Sequence, residues 1–367
     1  MPMTSIERVR AAINLEKPDR VPVAPLMEWY FPVQAGITTK EFMFDFDKAC
    51  DAIVRVWEKH GKDVDYIVTF PYKFLHYLPF PTSHCALFFN WVIPDGNDLP
   101  QIREYPPLMQ FEDYDRIMEK GWVELLRRIP VEHALEPLQE IEKLRRVNME
   151  WQEVRKVQPV ASCYVMPPAE LLSYARGLQN FTMDMYRHKE KILEFSEFML
   201  PGTIEWALAG CAAAGVNIVF IYGGRMSGSF ISSKMFEEIC WPYLKRIVDA
   251  LAEHNIISLL HFDTDWAPMY QYFKELPKGK CILELERSDI FKAKEMLGDR
   301  MCLMGNVDSS IMRYGKPEDI KKECKKLIEV CGEGGGFILS TGCEVPLDTP
   351  FENVQAMIDA AKEYGVY

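Results

Sequence analysis

Met235-Phe236-Glu237-Glu238-Ile239-Cys240-Trp241-Pro242-Tyr243-Leu244-Lys245-Arg246-Ile247-Val248-Asp249-Ala250-Leu251, followed after a short polar break by Ile256-Ile257-Ser258-Leu259-Leu260-His261-Phe262, is the stretch on which the fold turns. In its first part, apolar residues recur at positions 235, 236, 239, 240, 243, 244, 247, 248 and 251. That spacing places them on one face of a helix. The second part is a short apolar run rich in isoleucine and leucine, which predicts a strand buried on both faces. A helix leading into a buried strand is half of a parallel α/β unit.

Working outward, the same kind of run recurs at 21–25, 65–70, 158–163, 217–222, 281–286, 301–307 and 337–343. With 256–262 these make eight candidate strands. Helical patterns separate them. Pro317 opens one helix whose apolar face is Ile320, Cys324, Leu327, Ile328 and Cys331. Thr349-Pro350-Phe351-Glu352 reads as an N-cap threonine, a proline in the first turn and an acidic third position, ahead of the stripe Val354, Met357, Ile358 and Ala361. Near the N-terminus, Thr4 and Glu7 form a capping box that opens a helix over 5–15.

Eight strands alternating with helices predict a (β/α)8 TIM barrel, with the helix at 5–15 as an N-terminal extension. An open doubly wound sheet has the same periodicity. However, no G-x-G-x-x-G follows the first strand and there is no Walker A motif, which weakens nucleotide-binding readings. The 367 residues are read as one domain, 1–367, because a barrel of this kind commonly fills about 250 residues or more. The excess falls between the second and third strands. There, 75–155 holds His76-Tyr77-Leu78-Pro79-Phe80-Pro81 and then charged helical stretches, and is expected to be an inserted lid over one barrel end. The charge run at 142–146 reads as a solvated helix face.

Hydrophobic residues make up 48% of the chain, enough for a large core, and the net charge is −12. An acidic surface argues against nucleic acid and against anionic membranes, both of which need a basic footprint. No apolar run reaches 18 residues, and the N-terminus has no apolar targeting core. The ten cysteines form no Cys-x-x-Cys pair and mostly lie in apolar runs, as buried thiols do in a reducing compartment. A cytoplasmic location is the expectation.

In a barrel of parallel strands the chemistry sits where strands end. The fourth run ends at Tyr222-Gly223-Gly224-Arg225 and the fifth at His261-Phe262-Asp263, with Asp265 close behind. The sixth ends at Glu284-Leu285-Glu286, the seventh at Gly305-Asn306-Val307-Asp308 and the eighth at Gly342-Cys343-Glu344. His261 and Asp263 are two apart on an extended segment and can face the same side. With Cys343 from across the mouth they offer nitrogen, oxygen and sulfur donors, a set that suits Zn2+ with an open coordination position. Each residue alone also has a bland reading: a satisfied polar histidine, a helix cap, an inert thiol.

The C-terminal half resembles the uroporphyrinogen decarboxylase superfamily, and within it the corrinoid-dependent methyltransferase branch. The resemblance is carried by Ile231-Ser232-Ser233-Lys234-Met235-Phe236-Glu237-Glu238, by Trp241-Pro242-Tyr243 and by Gly305-Asn306-Val307-Asp308. It is strongest in Gly336-Phe337-Ile338-Leu339-Ser340-Thr341-Gly342-Cys343-Glu344-Val345-Pro346. Lys17-Pro18-Asp19-Arg20-Val21-Pro22-Val23 resembles it too. The branch binds zinc through a His-x-Cys pair and a later cysteine. His261 and Cys343 match, whereas Asp263 stands where the middle cysteine is expected.

The resemblance supports His261 and Cys343 as zinc ligands; with the strand-end positions, the expected site is His261, Asp263 and Cys343, with Glu284 or Glu286 as a candidate fourth ligand. By their position near the strand ends, Glu344 and Asp265 are expected to orient ligands, and Trp29, Tyr222 and Arg225 to shape the substrate pocket. The activity it implies is methyl transfer between a small methylated substrate and the cobalt of a corrinoid carried by a separate protein. An aspartate in place of a thiolate makes the metal a better Lewis acid toward oxygen, so a methyl ether, possibly aromatic, is the expected donor. Three alternatives stay open: methyl transfer from a corrinoid to a thiol, a metal-independent decarboxylase of the same fold, and a catalytically dead barrel that only binds a corrinoid protein. The decarboxylase fits less well, because the Leu26-Met27-Glu28-Trp29-Tyr30 region offers no arginine for a polycarboxylate.

Overall fold

Six parallel strands, each paired with the next in chain order, form the main sheet in the computed structural model, which describes residues 2–68, 91–92, 96–102, 106–122, 137–159 and 163–367. Two short antiparallel strands in the insertion, β1 (Trp91–Val92) and β2 (Gln101–Ile102), pair with each other. The sheet itself comprises β3 (Tyr164–Val165), β4 (Ile218–Gly223), β5 (Ile257–Phe262), β6 (Cys281–Leu285), β7 (Cys302–Val307) and β8 (Phe337–Thr341). Residues of β5, β6 and β8 are buried throughout, as expected of strands covered on both faces.

The ring closes through the two N-terminal extended segments. Leu339 of β8 bridges Val23 in parallel, donating to Pro22 and accepting from Ala24. Asp65 donates to Val23, Tyr66 bridges Gln158, and Phe220 of β4 donates to Cys163. Eight extended segments thus follow one another around a closed barrel, and the doubly wound alternative is set aside. The third expected strand begins as expected near Gln158, but its regular pairing falls just beyond 158–163, at Tyr164–Val165.

The first and second segments are also tied at the end opposite the site. The Asp65 carboxylate is fully buried and accepts from Arg8 at 2.6 Å, from Arg20 at 2.7 Å and from the Val23 amide at 2.9 Å. Arg8 comes from the helix Ser5–Ile13, whose Thr4–Glu7 capping box is formed as predicted.

Two local expectations are corrected. The long apolar face starting at Met235 belongs to two helices, Ser233–Ile239 and Trp241–Glu253, joined at Cys240. Pro242 has no N–H to give the preceding turn, so it starts a new helix instead of continuing the old one. Thr349 does not cap the helix Phe351–Tyr364; Pro350 occupies the cap position and the Thr349 hydroxyl is buried without a hydrogen-bond partner. In the insertion, helices Asp113–Lys120 and Pro137–Met149 are formed, while His76 to Pro81 lie outside the described residues.

Candidate metal centre

His261 is the penultimate residue of β5, and the barrel register sets both of its neighbours. Tyr222 of β4 stands opposite it on one side and Glu284 of β6 on the other. Its ring stacks against Phe220 at 5.0 Å and Tyr222 at 6.0 Å between centroids. Nδ1 lies 2.7 Å from Glu284 Oε2, so it donates there and Nε2 faces the barrel mouth. Nε2 is 3.1 Å from Asp263 Oδ1.

Asp263 extends β5 by one residue, its amide donating to Gly223. The chain then turns sharply at Thr264, which has a φ of 68°, and the Thr264 amide donates to Glu286 at 2.9 Å. A β-branched residue in the left-handed region is strained, and the Glu286 bond together with the Ser227 hydroxyl at 2.6 Å holds it there. Cys343 arrives from β8 across the mouth. One ligand atom each of His261, Asp263 and Cys343 lie within 4.8 Å of one another.

Carboxylates and burial set the electrostatics of the cluster. Burial acts to lower the His261 pKa, but Glu284 and Asp263 outweigh it and hold the imidazole well above its ordinary range. Burial acts to raise Asp263, yet His261, Cys343 and the Tyr222 hydroxyl bring it below the usual carboxylate range. Burial, then Asp263, pushes the Cys343 thiol up to about 12. Asp263 Oδ1 is buried and has no hydrogen-bond partner. His261 Nε2, 3.1 Å away, is not aligned for a hydrogen bond to that oxygen, and a divalent ion would satisfy the buried carboxylate more fully. Nitrogen, oxygen and sulfur donors at this spacing fit Zn2+.

Five further positions expected at the site fall into different places. Glu284 lies behind the His261 ring, bonded to Nδ1 at 2.7 Å and outside the His261–Asp263–Cys343 cluster, and this bond fixes the ring orientation. Glu286 holds the Thr264 turn. Asp265 is exposed and caps its own loop through the Ala267 amide, away from the cluster. Arg225 lies with its guanidinium 3.8 Å from the Tyr174 ring centroid and donates to the Ser173 carbonyl. Trp29 is buried and bonds to the Glu344 carboxyl.

Three residues at the mouth were not singled out from sequence. Glu28 follows the first extended segment, which is stitched to the β8 loop by Leu26 donating to Thr341 and accepting from Val345. This brings Glu28 against Glu344. Burial and then the Glu344 charge raise Glu28 well above the carboxylate range, and burial raises Glu344 as well. Glu170, on the helix Pro168–Ala175, is buried and accepts from the amides of Arg225 at 2.8 Å and Met226 at 3.0 Å. Tyr174 of the same helix donates to the Tyr222 hydroxyl at 3.0 Å. Glu28 lies three residues beyond the expected first strand, 21–25, so the strand-end rule comes near it. Glu170 and Tyr174 sit in a helix with no sequence signal.

A parallel barrel with a mixed-donor cluster at the carboxyl ends of β5 and β8 defines the class of protein. Comparison with known proteins makes it specific: residues 123–364 match the uroporphyrinogen decarboxylase (URO-D) family, and the chain belongs to that family. A uroporphyrinogen decarboxylase of Pseudoalteromonas atlantica is 29% identical over 140 residues, 38% of this chain and 39% of the relative. A methylcobamide:CoM methyltransferase MtbA of Methanosarcina acetivorans is 28% identical over 151 residues, 41% of this chain and 43% of the relative. The chain thus spans less than half the length of either relative. Methylcobamide methyltransferases stand among these relatives, in agreement with the resemblance to the corrinoid-dependent branch. A solved methyltransferase structure from Methanosarcina mazei superposes with a TM-score of 0.73 at 20% identity, covering 99% of both chains, which establishes the fold.

Proposed function

We propose that this chain is a zinc-dependent methyltransferase that passes a methyl group from a small methyl ether to the cobalt of a corrinoid carried by a separate protein. The observation that carries the reading is the convergence of His261, Asp263 and Cys343, whose ligand atoms lie within 4.8 Å of one another at the barrel mouth. In that site Zn2+ would supply Lewis acidity toward the oxygen that leaves as the methyl carbon is taken. The protein's own residues prepare the position. Glu284 keeps the His261 Nδ1 proton and turns Nε2 to the mouth. The paired carboxyls of Glu28 and Glu344 hold a proton beside the cluster, in place to reach the departing alkoxide or phenolate. Phe220, Tyr222 and Tyr164 form a stacked aromatic wall next to His261, which suits an aromatic ether.

A second reading is the reverse transfer, from a methylated corrinoid to a thiol. It is favoured by the relatives, which include a methylated-thiol–coenzyme M methyltransferase of Methanosarcina mazei. Asp263 weighs against it, because fewer thiolate ligands leave the metal less suited to a thiolate nucleophile. No helix among the described residues is long and apolar enough to cross a membrane, and none of the cysteines among them is in a disulfide, which fits a reducing compartment such as the cytoplasm.

Elemental analysis of the purified chain tests the reading, followed by methyl-ether and methyl-thiol assays with a reduced corrinoid protein. Stoichiometric zinc with ether turnover supports it. Zinc with thiol turnover alone selects the second reading. A metal-free protein overturns both and leaves a decarboxylase or a binding-only barrel.

A further inference from the structure

The departure at Asp263 raises a problem that a thiolate would not. A carboxylate has two oxygens, and one turned toward the cluster leaves the orientation of the other to be fixed. Tyr222 stands beside this group by register, opposite His261 on the neighbouring strand. Its hydroxyl oxygen already accepts the proton of Tyr174, at 3.0 Å. A phenol has a single proton to give, so Tyr222 must direct its own elsewhere, and the carboxylate of Asp263 is the acceptor within reach. The guanidinium of Arg225 lies 3.8 Å from the centre of the Tyr174 ring, where a cation makes that phenol a stronger donor.

The backbone makes room for this arrangement. A Cβ at Gly224 would come within 2.6 Å of the Tyr222 hydroxyl oxygen, so a side chain there would displace the hydroxyl. Glu170 holds the same turn by accepting from the amides of Arg225 and Met226. Helix, turn and strand therefore all converge on one hydroxyl.

We infer that Tyr174 and Tyr222 form a hydroxyl chain that orients Asp263 as a metal ligand, with Tyr222 acting as a positioning residue for the metal rather than as a substrate contact. The inference rests on the zinc reading above. Hydrogen bonds run in one direction along the chain, each donor polarising the next. The Asp263 carboxylate accepts the last hydrogen bond and presents Oδ1 to the cluster.

The test is a double-mutant cycle read by zinc affinity, in competition with a chromogenic chelator, on the full chain. Tyr222→Phe and Gly224→Ala are each made in the wild type and in an Asp263→Cys background. A lost partner of a metal ligand typically weakens binding about 10- to 100-fold, so both variants are expected to lose at least about tenfold in the wild type. In the Asp263→Cys background, where no carboxylate awaits the hydroxyl, the same changes should cost less than about twofold. The Co2+-loaded protein should show a changed ligand-field spectrum in Tyr222→Phe. If Tyr222→Phe does not fold, Tyr174→Phe breaks the same chain one step earlier and carries the same expectation. Unchanged affinity in the wild-type background overturns the inference and leaves the zinc site standing. An equal loss in both backgrounds also overturns it, because Tyr222 would then act through packing. A wild type that binds no zinc overturns the zinc reading and the inference together.

Discussion

His261 and Glu284 stand directly opposite each other on adjacent parallel strands, and 2.7 Å separates the imidazole Nδ1 from the carboxylate Oε2. Both side chains are buried, so this bond fixes both the ring plane and the tautomer. If His261 holds a metal, Glu284 would act on it through the imidazole. Glu284→Gln keeps the volume but weakens the charge-assisted bond. Zinc affinity is expected to fall about 10- to 100-fold while His261 and Cys343 still ligate. Chelator competition measures it, and an unchanged affinity would remove Glu284 from the metal site.

His261→Ala and Cys343→Ala remove ligands outright. The expected outcome is stoichiometric zinc in the wild type and loss of zinc from each variant at the same free-metal concentration. Elemental analysis after dialysis against a known zinc buffer reads this directly. Retention of full zinc by Cys343→Ala would show that the thiol, which burial pushes up to about 12 in its protonated state, does not ligate.

Asp263→Cys restores the donor pattern that the family resemblance implies. Two thiolates donate more electron density than one, so the metal becomes a weaker Lewis acid toward oxygen. Ether turnover should fall, by about tenfold or more for a loss of ~1.4 kcal/mol in transition-state stabilisation. Transfer to or from a thiol should rise. Paired assays on one methyl ether and one methyl thioether decide it, and a parallel fall in both would mean that the change merely damages the site.

Sequence carries the barrel because each strand is a separate apolar run bounded by polar turns, and eight such runs leave few ways to close a sheet. It also carries His261, Asp263 and Cys343, because all three lie at strand ends, where parallel barrels place their chemistry. Register is what it does not carry. Nothing local to Glu284 distinguishes facing His261 from facing solvent; that depends on how far β6 slides along β5, which the whole ring decides. Hence sequence offers Glu284 as a candidate ligand without the bond to His261 Nδ1 that the structure gives it, and offers Tyr222 without its place opposite His261. Glu170 and Tyr174 are further out of view, since they come from a helix packed over the β4 turn. The break at Cys240 was legible in principle, because Pro242 stood inside the apolar face.

Asp65 carries the stability prediction. It is fully buried and joins Arg8, Arg20 and the Val23 amide, so it ties the N-terminal helix to the first two segments of the ring. Asp65→Ala would leave two guanidinium groups, each largely out of water, without their counter-charge. Breaking one side of a buried ion pair costs about 3–5 kcal/mol, and this change should destabilise by that order. Urea denaturation of wild type and variant measures it. A loss under about 1 kcal/mol would place the network among the weak surface pairs.

Glu170 links stability to pH. It is 1% exposed, and burial raises its pKa from 4.5 to about 7, against the opposing pull of the backbone amides of Arg225, Gly224 and Met226. The unfolded chain gives up this proton near 4.5 and the folded chain near 7. Between those values the unfolded state binds fewer protons, so stability falls as pH rises. The contribution is fully present below about pH 4.5 and is lost as pH climbs through about 7, with a size on the order of 3 kcal/mol. Glu170→Gln has no such proton to lose. Its unfolding free energy should change less between pH 5 and pH 8 than that of the wild type, as measured by urea titration at the two values. At pH 8 the variant also lacks the carboxylate that accepts from the Arg225 and Met226 amides, so the turn beside Tyr222 should exchange its amide protons faster. An equal pH dependence in the two proteins would mean that Glu170 stays ionised in the folded state and that the amides holding it outweigh its burial.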